Sequence, residues 1–250
     1  MLYFAAIKKF MKRLLLFLSL ALTLQALHAQ EVGLAFSYFI PKNGDFSTPI
    51  SPFSIRGIGV NLNRFIALET GASLYRMAGL SIKDLPITSN NSLLGPNFTI
   101  LVPAELVFQL KGQNVEFDIK GGGFFFYGFG QNLNYGNIDR AIRDLEKWDV
   151  ANSAFTYENN PGFGYHFGAE LTIPVTSQVS VSLETNYMLG AANFPLKGTY
   201  TGGILSSVPE TKTVDYKDAK VDFTGLEFSI GLMYNTGGGG GKKPKARRRR

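Results

Sequence analysis

Apolar and polar side chains alternate along much of the chain with the period of two that is typical of β-strands. In the segment 162–173, for example, aromatic and aliphatic residues at alternate positions oppose glycines, His166 and Glu170. The alternation predicts eight strands, over residues 31–41, 52–62, 65–76, 99–110, 115–127, 162–173, 179–190 and 222–234. The second strand changes phase near Gly57, which indicates a β-bulge there.

The connections between these strands alternate strictly between long and short. The long ones are 42–51, 77–98, 128–161 and 191–221, and the short ones are 63–64, 111–114 and 174–178. A barrel of the bacterial outer membrane has this layout, with tight periplasmic turns and longer loops outside. We therefore predict an all-β fold: an eight-stranded antiparallel up-and-down transmembrane β-barrel, with its long loops outside the cell and its termini in the periplasm.

A soluble barrel with an apolar ligand cavity would show the same alternation. A water-facing surface carries many lysines and mixed charges, whereas the polar faces here hold mostly glycine, serine, threonine, isolated acids and essentially one lysine, Lys120. This composition favours a crowded polar lumen and a lipid-facing apolar exterior. Aromatic residues near strand ends fit the two girdles of a membrane barrel. They are Tyr38, Phe53, Phe65, Tyr75, Tyr127, Phe163, Tyr187 and Tyr234.

The third long loop contains apolar residues at helical spacing. Ile138, Ala141, Ile142 and Leu145 fall on one face of a helix. We predict a short amphipathic helix in loop 128–161, which covers the barrel mouth.

The N-terminal residues have the form of a secretory signal peptide. Four basic residues precede the apolar run 14–24, and the small residue Ala29 follows it. We expect 1–29 to be a signal peptide, 30–235 the outer-membrane barrel, and 236–250 a Gly-rich linker and basic disordered tail. Because the chain has no cysteine, it has neither disulfides nor a thiolate metal site.

The net charge of +6 comes from the two ends of the chain. Residues 30–241 hold 14 basic and 19 acidic residues, a net charge of −5, while 242–250 hold seven basic residues. The usual inference from a basic protein to nucleic acid therefore does not apply to the folded part. We expect outer-membrane lipid as a partner, and a protein partner through loops 128–161 and 191–221 or the basic tail, but no nucleic acid.

Ionisable residues on the inward phase of the strands are the candidate functional residues. Two carboxylates about 6 Å apart repel by roughly 3 kcal/mol at an effective dielectric constant near 20, so several must be paired or protonated. We predict a polar network that closes the lumen, because eight strands leave room for little more than side chains. A narrow cation-preferring pore is the alternative. The predicted members of the network are Arg56, Glu69, Glu105, Asp118, Lys120, His166, Glu170, Glu184 and Glu227.

A third interpretation is an outer-membrane lipid hydrolase. His166 with Glu170 and either Ser182 or Glu184 has the composition of a Ser–His–Glu arrangement. Such catalysis needs hydrogen-bonded geometry and an oxyanion site with access to lipid, which a packed lumen does not offer. We therefore predict no enzymatic activity, no catalytic residue, no cofactor and no metal site.

Several short motifs occur in the predicted strands and at the predicted signal end. They are Ala29-Gln30, Val102-Pro103-Ala104-Glu105, Gly162-Phe163-Gly164, Gly168-Ala169-Glu170 and Phe223-Thr224-Gly225-Leu226-Glu227. With these motifs the chain resembles the outer-membrane β-barrel domain family of Bacteroidota, the PorT-like outer membrane proteins. The resemblance covers about 31–234 and implies an eight-stranded outer-membrane barrel without shared catalytic residues. The tail beyond Tyr234 departs from the family pattern. The expected function is that of an integral outer-membrane protein with a structural or interaction role.

Overall fold

The computed structural model describes residues 31–43 and 54–235. The predicted signal peptide, the predicted tail and Phe53 lie outside these residues. Within them the chain forms thirteen β-strands and one α-helix. In chain order they are β1 (Glu31–Pro41), β2 (Ser54–Asn61), β3 (Ile66–Met77), β4 (Ile82–Lys83), β5 (Asn97–Lys111), β6 (Glu116–Phe129), α1 (Tyr135–Glu146), β7 (Val150–Tyr157), β8 (Gly162–Pro174), β9 (Val179–Asn193), β10 (Leu196–Gly203), β11 (Glu210–Tyr216), β12 (Lys220–Asp222) and β13 (Gly225–Asn235).

Eight of the strands form a closed antiparallel barrel. They follow one another around the ring in the order β1, β2, β3, β5, β6, β8, β9 and β13. The ring is closed because β13 pairs with both β9 and β1. The predicted start of the second strand at residue 52 lies outside the described residues, and every other end lies within three residues of its predicted position. The predicted eight-stranded antiparallel barrel is therefore confirmed.

The predicted irregularity in β2 is a β-bulge. Its pairing with β3 slips between Ile55 and Ile58, and Gly57 has a φ of 72°, in the left-handed region that favours glycine. Because of the slip, Ile55 and Ile58 both face outward although they are three residues apart. Arg56 lies between them and faces the interior.

The outer face of the barrel is apolar. Residues such as Leu34, Phe36, Leu106 and Phe163 leave between 54% and 66% of their surface exposed. An extended apolar surface of this kind is unfavourable in water and matches the hydrocarbon core of a bilayer. Tyr75, which the sequence assigned to an aromatic girdle, is an exception because it lies on the inward phase of β3 and is only 1% exposed.

Short turns join the barrel strands at one end, which we call the short-turn mouth. They connect β2 to β3, β5 to β6 and β8 to β9. In the first, the side-chain oxygen of Asn63 accepts hydrogen bonds from the backbone N–H groups of Phe65 and Ile66, at 2.8 and 2.9 Å. Thr176 makes the equivalent contacts in the third turn. Such side-chain contacts replace backbone partners in tight turns.

The long loops at the opposite end fold into a cap. Strand β10 pairs with β7 on one side and with β11 on the other, and β12 pairs with β9 and β4. Except for the barrel strand β9, these strands lie in segments predicted to be loops. Strands β7 and β10 belong to different long loops, so a local period does not reveal their pairing, and Gly198, Gly202 and Gly203 interrupt the alternation in β10.

Helix α1 confirms the predicted helix in the third long loop. Asn134 caps its start by accepting a hydrogen bond from the N–H of Asn137 at 3.4 Å, and Lys147 ends it in a left-handed conformation with a φ of 58°. Its predicted apolar face is buried at Ile138 and Ile142. Among the described residues, no helix is long and apolar enough to cross a membrane.

Five aromatic residues fill the lumen beneath the cap. Phe223 stacks on Phe39 with ring centroids 4.5 Å apart and on Phe126 at 4.6 Å. Phe124 and Tyr75 lie 6.0 and 6.4 Å from the same ring. We call this group the aromatic plug. It separates the cap from the polar residues on the short-turn side.

A cation placed on the outer face tests whether that face contacts hydrocarbon. Replacing Leu106 by arginine should reduce the free energy of unfolding by about 2–4 kcal/mol, because the charge would lie within the bilayer. The measurement is urea unfolding in lipid vesicles. Val208 in the cap is 89% exposed, and Val208→Arg should change stability by less than about 0.5 kcal/mol. Equal, small effects of both substitutions would contradict a lipid-facing exterior.

Candidate functional site

The predicted polar residues gather in the lumen on the short-turn side of the aromatic plug. Strand pairing brings several side by side, with Glu69 opposite Glu105 and Glu170 opposite Glu184. Eight of the nine are connected by contacts of 4.0 Å or less between ionisable groups. We call these eight the lumen network. They are Arg56, Glu69, Glu105, Lys120, His166, Glu170, Glu184 and Glu227.

Arg56 connects one side of the barrel to the other. Its Nη1 lies 2.8 Å from Glu184 on β9, and its Nη2 lies 2.5 Å from Glu227 on β13. Nη2 also donates to the hydroxyl of Ser37 at 2.9 Å. The planar guanidinium holds two carboxylates at once, which an ammonium does less specifically. The bulge at Gly57 gives Arg56 its inward direction.

Lys120 is the second cation and is 3% exposed. An ammonium has three donors and no acceptor, so several carboxylates share it. Burial of a lysine to this depth is favourable only with such partners. Its Nζ contacts Glu170 and lies 3.4 Å from Glu69, 3.9 Å from Glu184 and 4.0 Å from Glu105.

Neutral side chains complete the contacts of the acids. The amide of Asn186 donates to Glu184 at 2.7 Å and to Glu227 at 2.8 Å. The hydroxyl of Tyr75 also donates to Glu227. Glu227 therefore joins the lumen network to the aromatic plug. Sequence reasoning missed Tyr75, although its inward phase on β3 was a usable signal.

Four serine hydroxyls extend the network around the barrel wall. Ser37 lies 2.8 Å from both Ser54 and Ser229, and Ser54 donates to Ser73 at 2.9 Å. They come from four different strands that are adjacent in the ring. Their inward phase was visible in the sequence, but their contact depends on strand register. Since Ser37 also accepts from Arg56, the serines help to fix the guanidinium.

Asp118 is the predicted residue that stays outside the lumen network. It lies nearer the short-turn mouth, opposite Gln109 on β5 and Glu170 on β8. Asp118 and Gln109 are each 7% exposed. Among the described residues, neither Asp118 Oδ1 nor Gln109 Oε1 has a hydrogen-bond partner.

His166 packs at the boundary between network and plug. Its Nε2 lies 3.5 Å from Glu105, and its ring centroid lies 6.1 Å from that of Phe124. Within the described part of the chain, neither ring nitrogen has a hydrogen-bond partner. His166 and Ser182 thus do not form the hydrogen-bonded pair that nucleophilic catalysis uses.

Little free space remains at the level of the lumen network. The cavity between Arg56, Lys120 and His166 has a volume of about 10 Å³. This is near the lower limit for one water molecule. At this level, the described residues form a packed core rather than a channel.

A separate ionic contact holds the cap together. Glu146 at the end of α1 accepts a hydrogen bond from Tyr200 on β10 at 2.6 Å and from Lys212 on β11 at 2.5 Å. These two donors lower the pKa of Glu146. The hydrogen bond to Glu146 raises the pKa of Lys212. The pKa of Tyr200 is also raised, mainly because the hydroxyl is buried and also because it donates to the carboxylate of Glu146. Loops 128–161 and 191–221 therefore form one unit.

The chain is similar to several solved structures of outer membrane proteins. No family model and no curated protein sequence matches the chain. The outer membrane protein OprG of Pseudomonas aeruginosa matches with a TM-score of 0.46 and 11% identity, over 82% of this chain and 94% of that one. A major outer membrane protein of Thermus thermophilus matches with a TM-score of 0.42 and 12% identity, over 83% and 99%. Ail, the attachment invasion locus protein of Yersinia pestis, matches with a TM-score of 0.36 and 14% identity, over 82% and 94%.

The fold itself defines the class of protein. A closed antiparallel barrel with an apolar exterior, a polar interior, short turns at one end and long loops at the other is an outer-membrane β-barrel fold. The lumen network and the aromatic plug are this chain's particular filling of that fold.

Removal of Arg56 tests the energetic weight of the lumen network. Arg56→Met should reduce the free energy of unfolding by about 3–5 kcal/mol, because the buried carboxylates of Glu184 and Glu227 would lose the guanidinium that pairs with both. The measurement is urea unfolding followed by circular dichroism. Lys111→Met breaks a pair with Glu116 at the barrel rim, where the lysine side chain is 50% exposed, and should cost less than about 1 kcal/mol. Equal costs would show that the network does not stabilise the barrel.

The Glu146 contact predicts an acid-sensitive cap. A carboxylate whose pKa is lowered on folding stabilises the folded state at pH values above its pKa in the unfolded chain, which is 4.5. This stabilisation is lost as the pH falls through the pKa of the folded state. Acidification from pH 7 to below pH 4 should therefore loosen the cap. The fluorescence of Trp148, which packs on Tyr200 and near Lys212, reports this change. Glu146→Gln should abolish it; an unchanged fluorescence transition in that variant would assign the effect to other acids.

Proposed function

We propose that the protein is an integral outer-membrane β-barrel with a structural or interaction role and a lumen closed by the network. The observation that carries this proposal is the filling of the lumen: the cavity left within the network is about 10 Å³. A solute would have to displace both the network and the aromatic plug. Separating a buried cation from its carboxylates costs several kcal/mol.

The cap is the proposed contact surface for a protein partner. The connection between β10 and β11 exposes Ile204, Leu205 and Val208, of which the last two are 82% and 89% exposed. Clustered exposed apolar residues on a folded surface often mark protein contacts. In the proposed orientation, the cap lies outside the cell, and the short-turn mouth and both termini lie in the periplasm, as the loop lengths favour.

The resemblance to the PorT-like proteins of Bacteroidota supports the same proposal. That family has no shared catalytic residues, and His166 here has no hydrogen-bond partner among the described residues. No enzymatic step belongs to the proposed function. Outer-membrane lipid is the proposed environment of the apolar exterior.

A small cation-preferring pore is the second candidate. The observation that favours it is the charge imbalance in the lumen, where six acids of the described part of the chain face the two cations Arg56 and Lys120. The acids are Glu69, Glu105, Asp118, Glu170, Glu184 and Glu227. An interior with this excess of carboxylates would prefer cations if the plug moved aside.

Gel mobility and conductance distinguish these candidates. Residues 30–250, refolded in detergent, should migrate differently with and without boiling and should give no stepwise current in a planar bilayer. A cation-selective current that Glu105→Gln weakens, and that the exposed cap variant Glu158→Gln leaves unchanged, would establish the pore instead. Solubility without detergent would contradict both candidates.

A further inference from the structure

The short-turn mouth opens into a polar vestibule of about 220 Å³. Residues that line it come from strands on opposite sides of the barrel, since Gln113 follows β5 whereas Asn235 ends β13. Glu116, Thr172 and Ser180 also line it. Lys111 at the rim pairs with Glu116 at 3.2 Å.

Two buried acceptors lie deeper in the lumen than Lys111 and Glu116, which line this vestibule. Asp118 lies one inward-facing position deeper than Glu116 on β6, and Gln109 lies one deeper than Lys111 on β5. Each residue is 7% exposed, and Asp118 Oδ1 and Gln109 Oε1 have no hydrogen-bond partner in the described ranges. A buried acceptor without a donor costs about 1–3 kcal/mol, and more when it is charged. The pair therefore favours a ligand that is a cation with N–H donors.

The cations nearest to Asp118 already have other partners. The ammonium of Lys120 contacts Glu170 and is shared with three further acids, and Lys111 pairs with Glu116. The lumen as a whole has more acids than cations. An additional guanidinium or ammonium at Asp118 would reduce this imbalance.

We propose that the vestibule is a binding site for arginine and lysine side chains, and that its occupant is the basic segment 242–250 of the same chain. Asn235 lines the vestibule and is separated from Lys242 by only six residues, of which five are glycines. Six extended residues span at most about 20 Å. A Gly-rich link of this length would hold the segment at an effective concentration of the order of millimolar.

Charge complementarity supports this occupant. The segment carries seven basic residues, and its arginines offer planar donors that fit a carboxylate and an amide oxygen together. When it is bound, a side chain of the segment donates to Asp118 and Gln109.

Engineered cysteines measure this proximity, because the natural chain has none. Ala246→Cys is combined with Gln113→Cys in the vestibule, or with Arg64→Cys in the β2–β3 turn. Around the ring, Gln113 is farther than Arg64 from β13, where the tail begins. A bound segment should therefore form the Gln113 disulfide about tenfold faster than the Arg64 disulfide, whereas a free tail should favour Arg64 or react equally with both.

Neutral variants show whether the acid directs the contact. Asp118→Asn should slow formation of the Gln113 disulfide about tenfold, the effect of losing one charge-assisted hydrogen bond, and should leave the Arg64 disulfide unchanged. Asp215→Asn in the cap is the matched control. Replacing Arg247 to Arg250 by glutamine should have the same effect as Asp118→Asn without touching the barrel. Equal rates for the two disulfides, or a Gln113 rate that neither neutralisation changes, would overturn the proposal.

Discussion

Closure of the sheet governs this molecule, because an unpaired backbone group in hydrocarbon costs several kcal/mol. Strand β13 provides it by pairing along its length with both β1 and β9. Eight strands then enclose an interior that side chains alone can fill. Most ionisable residues on the inward phase are buried in this interior and bind one another. The connections among Arg56, Lys120 and their carboxylates follow from that geometry.

Much of this architecture could be predicted from local sequence. A period of two locates strands and assigns each residue to a face, so the eight strands, the inward acids and the bulge at Gly57 were all accessible. Helical spacing likewise identified α1. These features depend on neighbours within a few residues, where side-chain periodicity is a direct signal.

The remaining features depend on strand register and on contacts between distant segments. Tyr75 was assigned by its place near a strand end, but its phase directs it inward, where it binds Glu227. The sequence could not show that Arg56 would pair with Glu184 and Glu227 while Lys120 contacts Glu69, Glu105 and Glu170. It also could not show that Asp118 would lie outside the lumen network. The sheet of β7, β10 and β11 joins two long loops. Most residue pairs between β7 and β10 are more than 40 positions apart in the sequence, and apolar and polar residues alternate only weakly in these strands.

The position of Phe223 links the completion of the core to the order of the chain. This ring, which stacks on Phe39 from β1 and on Phe126 from β6, directly precedes the last strand. Until that strand arrives, the lumen lacks the centre of its plug as well as Glu227, a partner of Arg56. An assembly intermediate built from the earlier strands would present an open, acidic interior and two unpaired strand edges. Closing the sheet and filling the core would therefore occur together in one late step, because both need contacts between residues that are far apart in the sequence.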